Sequence, residues 1–177
     1  VDGSARLFFH HVNGTKAPKK VVVLLENHGP DPVHLTVTNS GLGGPGLDYL
    51  AVGKAAQEQY MNGGNLYLVE VPENGTAELV PALSGLTVPP EALVNGIYDF
   101  TTDRPVMVKV ILLADNADPV KFARTAPVLP ADQYRLRGTF PGKDRLVTPV
   151  KTYNPEKDGA VVMTLADNKI DDYVAGI

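Results

Sequence analysis

The chain has 177 residues, with no cysteine, no tryptophan, 17 glycines and 15 prolines. Without a thiol it can hold no disulfide, zinc ribbon, iron–sulfur cluster or cysteine nucleophile. Its net charge of -4 has the wrong sign for neutralising a phosphate backbone, which argues against nucleic acid as a partner.

Hydrophobic residues make up 44% of the chain, enough for a core in a protein that should bury roughly 70% of its unfolded surface. Apolar runs such as Val21–Leu25 are far shorter than the roughly 20 residues of a membrane helix, so no span is expected. The first residue is Val1 rather than Met, which predicts a processed or excised piece with its targeting segment upstream.

Short β-branched runs separated by turn residues recur along the chain, the texture of a sandwich or barrel. The first strand is expected over Ala5–Val12, and Asn13-Gly14 then predicts a tight hairpin. Val21–Leu25 is apolar on both faces and reads as a central strand covered on two sides. After the turn Gly29-Pro30-Asp31-Pro32, Val33, Leu35 and Val37 alternate with His34, Thr36 and Thr38, a strand with one wet face. Pairing of these two strands as a hairpin would bring His28 and His34 together.

Ser40–Leu47, with glycine at 41, 43, 44 and 46, reads as a surface loop. A helix is expected over Leu50–Met61, stopped by Asn62-Gly63-Gly64. Tyr67, Val69 and Val71, a turn over 72–75, and Ala77 with Leu79 predict a second hairpin. Strands follow over Ile97–Thr102 and Val106–Leu113, then a short helix capped by Asp118-Pro119 and running to about Arg124. Beyond the connector at Pro127 and Pro130, further strands are expected around Tyr134–Phe140, Leu146–Thr152 and Ala160–Leu165.

The expected fold is therefore mainly β: an antiparallel β-sandwich with one or two short helices. It forms a single β-rich unit over 1–177, with a core over about 5–114. Strands over about 134–177 either complete the sandwich or begin a truncated second module.

No catalytic residue or cofactor is predicted. Ser4, Ser40 and Ser84 lie outside any nucleophile-elbow motif. The glycine-rich segment lacks the spacing of a phosphate cradle, and Pro45 has no N–H to offer one. Asp167, Asp171 and Asp172 do not follow the order of a calcium loop. Imidazole chemistry leaves His11, His28 and His34 as the metal-ligand candidates, with His10 on the opposite strand face from His11. Asn13-Gly14-Thr15 and Asn74-Gly75-Thr76 match the glycosylation acceptor pattern but read first as turns. Seven tyrosines offer amphipathic side chains for a carbohydrate or protein partner.

The segments Arg6-Leu7-Phe8-Phe9-His10-His11-Val12-Asn13-Gly14-Thr15 and Val21–Val33 resemble the β-sandwich region of secreted bacterial surface proteins, where it is often found beside a copper amine oxidase-like N-terminal (stalk) domain. The resemblance covers about the first two thirds of the chain by pattern, and neither the stalk module nor an oxidase copper site has a counterpart here. It implies an extracellular or cell-surface setting and an adhesive or scaffolding role with a protein or cell-wall glycan partner. The alternatives are a metal-binding protein or metal-dependent enzyme using the N-terminal histidines, and a carbohydrate-binding module.

Overall fold

The structure is a computed structural model that describes residues 1–130 and 154–158. The chain divides into two units, Val1–Pro127 and Val128–Ile177. The first unit holds strands β1 (Gly3–Val12), β2 (Lys19–Glu26), β3 (Val33–Gly46), β4 (Tyr67–Val71), β5 (Thr76–Glu78), β6 (Leu93–Thr102) and β7 (Met107–Ala114). It also holds helices α1 (Tyr49–Asn62), α2 (Pro81–Ser84) and α3 (Pro119–Thr125). In the second unit a single helical turn, α4 (Pro155–Asp158), is described. The strands expected at 134–140, 146–152 and 160–165, and the aspartates 167, 171 and 172, lie outside the described residues.

Seven antiparallel strands form two sheets, in the orders β1-β6-β3-β4 and β5-β2-β7. The mainly β sandwich is thus as the periodicity foretold. Val21, Val23 and Leu25 point into the main core with Val33, Leu35, Val37, Val94 and Phe100. Val22 and Leu24 point the other way and join Leu113, against which Val120, Phe122 and Ala123 pack. All five side chains of Val21–Leu25 are buried, each worth roughly 1.5–3 kcal/mol of apolar transfer.

Strand pairing departs from the sequence expectation. β1 pairs with β6 rather than β2, and β2 and β3 fall in different sheets. β4 pairs with β3, while β5 pairs with β2. None of the three expected hairpins forms, because each turn carries the chain from one sheet to the other. At the first, Asn13 is buried and its Nδ2 donates to the carbonyls of Ala17 and Val88, both at 2.9 Å. Its side chain thus fixes a crossing between sheets, and its burial also removes it as a glycan acceptor in the folded protein.

The glycine-rich segment is strand rather than loop. β3 continues to Gly46 through two register shifts in its pairing with β6. Its glycines admit helix α1, which lies across this half of the strand. A Cβ on Gly43 would sit 2.0 Å from the Val52 carbonyl oxygen, and one on Gly41 would sit 2.0 Å from that of Ala56. Helix α1 follows expectation closely. Asp48 caps it by accepting from the Ala51 N–H, and Gly63 and Gly64 leave it with φ of 66° and 83°. Asp118 caps α3 in the same way, its carboxylate accepting from Val120 and Lys121 N–H.

Substituting Gly43→Ala should destabilise the fold by about 3 kcal/mol, because backbone atoms must separate to admit the methyl group. Gly53→Ala, whose Cβ meets nothing within 4 Å, should instead stabilise it by about 0.5–1 kcal/mol through helix propensity. Urea denaturation of both variants beside the wild type checks the pair.

Candidate binding site at the loop end of the sandwich

One end of the sandwich gathers the segments 27–32, 72–75 and 103–106, each linking the two sheets. Asn27 stitches the first two together. Its backbone N–H donates to Gly75 O at 2.9 Å, while Nδ2 donates to Asp31 O at 2.8 Å and Pro72 O at 3.0 Å. Its Oδ1 accepts from Gly29 N–H at 2.8 Å, an Asx turn. The Asn74 N–H completes the seam by donating to Gly29 O at 3.0 Å. An isolated asparagine gave no reason in the sequence to be singled out, although an Asn two residues before a Gly is a recognisable Asx-turn signal.

Beside this seam lies a cleft of about 790 Å³, walled by Glu26, His28, Asp31, Val33, Arg104 and Met107 among others. Val33 and Val106 are buried beneath it. Its charged groups are paired. Glu26, whose side chain is only 9% exposed, meets the Lys109 ammonium at 2.8 Å, and Lys109 also donates to Ala123 O of α3 at 3.4 Å. That neighbour makes burial of the carboxylate tolerable. His28 Nε2 lies 3.5 Å from the same carboxylate but is itself largely exposed. Arg104 and Asp31 pair across the cleft between its two loops.

His34 sits next to this end on β3, held between two acidic groups. Its Nδ1 is 3.0 Å from Asp103 Oδ2 and its Nε2 is 3.6 Å from Glu70 Oε2. The His34 backbone N–H donates to Asp103 Oδ1 at 2.8 Å. That bond, and then the imidazole contact, hold the Asp103 carboxyl below the usual carboxylate range. The two carboxylates approach opposite ring nitrogens, so they cannot share one ion with a single imidazole nitrogen.

The histidines predicted as metal ligands are not brought together. Hairpin proximity of His28 to His34 fails because their strands belong to different sheets. His11 is opposite Val94 on β6, whereas His34 is beside the Thr102 end of that strand, a separation of roughly 26 Å at about 3.3 Å per residue. His11 is half-buried beside Phe9, with ring centroids 6.4 Å apart. Burial first, and neighbouring His10 second, push its imidazole pKa down. Among the described residues no group of three or more His, Asp or Glu side chains is arranged to hold a metal ion.

Most of the described tyrosines engage their hydroxyls in bonds within the chain. Tyr67 donates to Leu79 O at 2.7 Å, and burial pushes its phenol up to about 12. Tyr98 is buried, and Tyr49 donates to Glu91 O at 2.7 Å. Tyr60 donates to Asp99 Oδ2 at 2.7 Å and accepts from Arg6 Nη2 at the same distance. The Arg6 guanidinium, which bonds Asp99 through Nε at 2.6 Å, also lies 5.5 Å from the Tyr60 ring centre. This trio fastens the end of α1 to the outer face of β1 and β6. Tyr134, Tyr153 and Tyr173 lie outside the described residues.

No family model, no curated protein and no solved structure matches this chain. Among the described residues no helix is long and apolar enough to cross a membrane.

Asn27→Ala should cost about 2–3 kcal/mol, because it strips carbonyl partners and an N–H acceptor from a buried seam; chemical denaturation checks it. The depressed Asp103 pKa also fixes a pH dependence. Its stabilisation is complete above the unfolded carboxylate value of about 3.9 and is lost as pH falls through the lower folded value. The stability advantage of the wild type over Asp103→Asn should therefore be constant from pH 5 to 6 and shrink below about pH 4, measured by thermal melts.

Proposed function

We propose that this chain is a non-enzymatic, extracytoplasmic β-sandwich module of a bacterial surface protein, acting as a scaffold or binding domain for a protein or cell-wall glycan. The observation that carries the reading is the loop end. Its acidic and basic side chains neutralise one another in the pairs Glu26–Lys109 and Asp31–Arg104, and His34 and Asp103 are tied by hydrogen bonds. A general acid or base needs a proton-transfer partner in the substrate and a pKa tuned to that task. Groups tied into mutual pairs instead give a fixed polar rim around an open cleft, the geometry of a recognition surface on a rigid sandwich. Two of the loops are tied to one buried asparagine and the third is joined to them by the Arg104–Asp31 pair, which keeps that rim in a single shape and lowers the ordering cost of binding. The sequence resemblance to secreted surface proteins points the same way.

Surface labelling of intact cells that produce the native gene product is the direct test. A membrane-impermeant, amine-reactive biotin reagent should label the protein, and externally added protease should remove it. Retention in the cytosol, or a turnover activity abolished by Glu26→Gln or His34→Ala, would overturn the reading.

A further inference from the structure

We propose that a small pocket between the end of β4 and helix α2 binds one uncharged sugar unit of a glycan, held by the hydroxyls of Tyr98 and Ser40. This deepens the binding-domain reading, on which it rests, by choosing the glycan and giving its terminal ring a place.

The pocket owes its position to an irregularity in β3. Val37 is opposite Phe100 and Asn39 is opposite Asp99, so Thr38 is the extra residue of a β-bulge. Ahead of the bulge the odd-numbered Val33, Leu35 and Val37 face the core; after it Leu42 packs there, and Ser40 comes opposite core residue Tyr98. The bulge thus aims a serine inward where strict alternation would have aimed it out. β4 accompanies β3 only as far as Tyr67, opposite Val37. Beyond that point the β3 edge is bonded by side chains: Leu42 N–H donates to Gln59 Oε1 at 2.6 Å, and Asn65 Nδ2 donates to Ser40 O at 2.9 Å.

The resulting pocket has a volume of about 270 Å³. That lies below the roughly 300–1,000 Å³ of sites for drug-sized ligands, which suits a single ring. Its floor is Ser40, Val80 and Tyr98, with only 6%, 4% and 4% exposure, and its rim is the exposed Gln59, Pro81 and Ala82.

Two hydroxyls in that floor are left to a ligand. Neither Tyr98 OH nor Ser40 Oγ bonds to any described residue, although their strands place them as direct cross-strand neighbours. Neither is sealed in, because the sealed and unbonded side-chain atom among the described residues is Asn95 Oδ1. They therefore open into the pocket that they line. Nearby, Tyr67 OH donates to Leu79 O at 2.7 Å, and its oxygen can still accept. Burial first, and neighbouring Tyr67 second, push the Tyr98 phenol pKa up, so Tyr98 stays a neutral donor.

This lining selects the ligand. Among the described residues no Asp, Glu, Lys or Arg lines the pocket, so a carboxylate, phosphate or ammonium would enter without a counter-charge. A wholly apolar ring would leave both hydroxyls unbonded. A neutral sugar ring meets both conditions, since its hydroxyls donate and accept while its C–H faces suit Leu42, Val80 and Pro81.

NMR titration of the ¹⁵N-labelled whole chain tests this, with the methyl glycosides of glucose, galactose, mannose and N-acetylglucosamine as probes. At least one should shift the amides of Ser40, Leu42, Ala82 and Tyr98 saturably, whereas glucuronic acid and N-acetylphenylalaninamide should leave them in place. Tyr98→Phe keeps the ring, which stacks on Phe9 at 6.1 Å between centroids, and should weaken binding by about five-fold or more without lowering the melting temperature. Ser40→Ala is the second variant, with the same loss expected, and decides the matter if Tyr98→Phe is destabilised. Silence with all four glycosides, equal binding of either control, unchanged affinity in both variants, or shifts confined to 27–32 and 103–106 would each overturn the proposal. Such a failure leaves the surface-labelling result standing, whereas a cytosolic protein refutes the module reading without altering the titration.

Discussion

The rest of this structure depends on burying β2 on both faces. Five consecutive apolar side chains cannot be covered from one side, so Val21, Val23 and Leu25 need an opposing sheet while Val22 and Leu24 need a second layer. A strand filled this way must also be central, because its backbone has to be bonded on both edges where water is excluded. β5 and β7 supply those bonds, and α3 supplies the outer layer. The flanking strands β1 and β3 then serve better opposite β2 than beside it, and they lie in the facing sheet. Every direct strand-to-strand link in the described unit accordingly crosses the core, and the one same-sheet connection, β3 to β4, runs through α1.

This explains which features were legible in the sequence. Period-two alternation at Val33, Leu35 and Val37 and the double-faced run at Val21–Leu25 depend only on local burial, so they identified strands and their faces. Capping by Asp118 and the stop at Gly63 and Gly64 are equally local. Pairing partners are not, because Asn13-Gly14 and the turn at 72–75 encode a reversal without encoding the sheet that the next strand joins. The Ser40–Gly46 stretch misleads for a related reason. Glycine reads as a loop when backbone freedom is assumed to be its purpose, whereas here Gly41 and Gly43 share one face of a strand and clear space for the Val52 and Ala56 carbonyls. Two glycines at strand period ahead of a helix were the available signal.

The candidate site shows the same division. His34 was placed correctly on a wet strand face, but its partners Asp103 and Glu70 come from residues 69 and 36 positions away in sequence, and nothing local ties them to it. Asn27 and Arg104 are likewise ordinary in the sequence and acquire roles only when three sheet-crossing segments meet. A histidine cluster in sequence proved to be no cluster in space, because the crossing topology sends neighbours along the chain to opposite sheets and to opposite ends of a strand.

The pairing of Lys109 with Glu26 links this polar end to the strand edges. Two open sheets leave four edge strands among the described residues, and each edge carries the hazard of uncontrolled pairing. β5 is only three residues long and β4 five, the latter bearing Glu70. β1 is long but carries Arg6, His10 and His11. β7 has eight residues and one lysine, and that lysine is turned onto Glu26, a carboxylate that would be costly to leave buried without a counter-charge. Stabilising the loop end therefore draws the guarding charge away from β7. The ion pair that steadies one candidate surface thus leaves the apolar edge of β7 without a free charge.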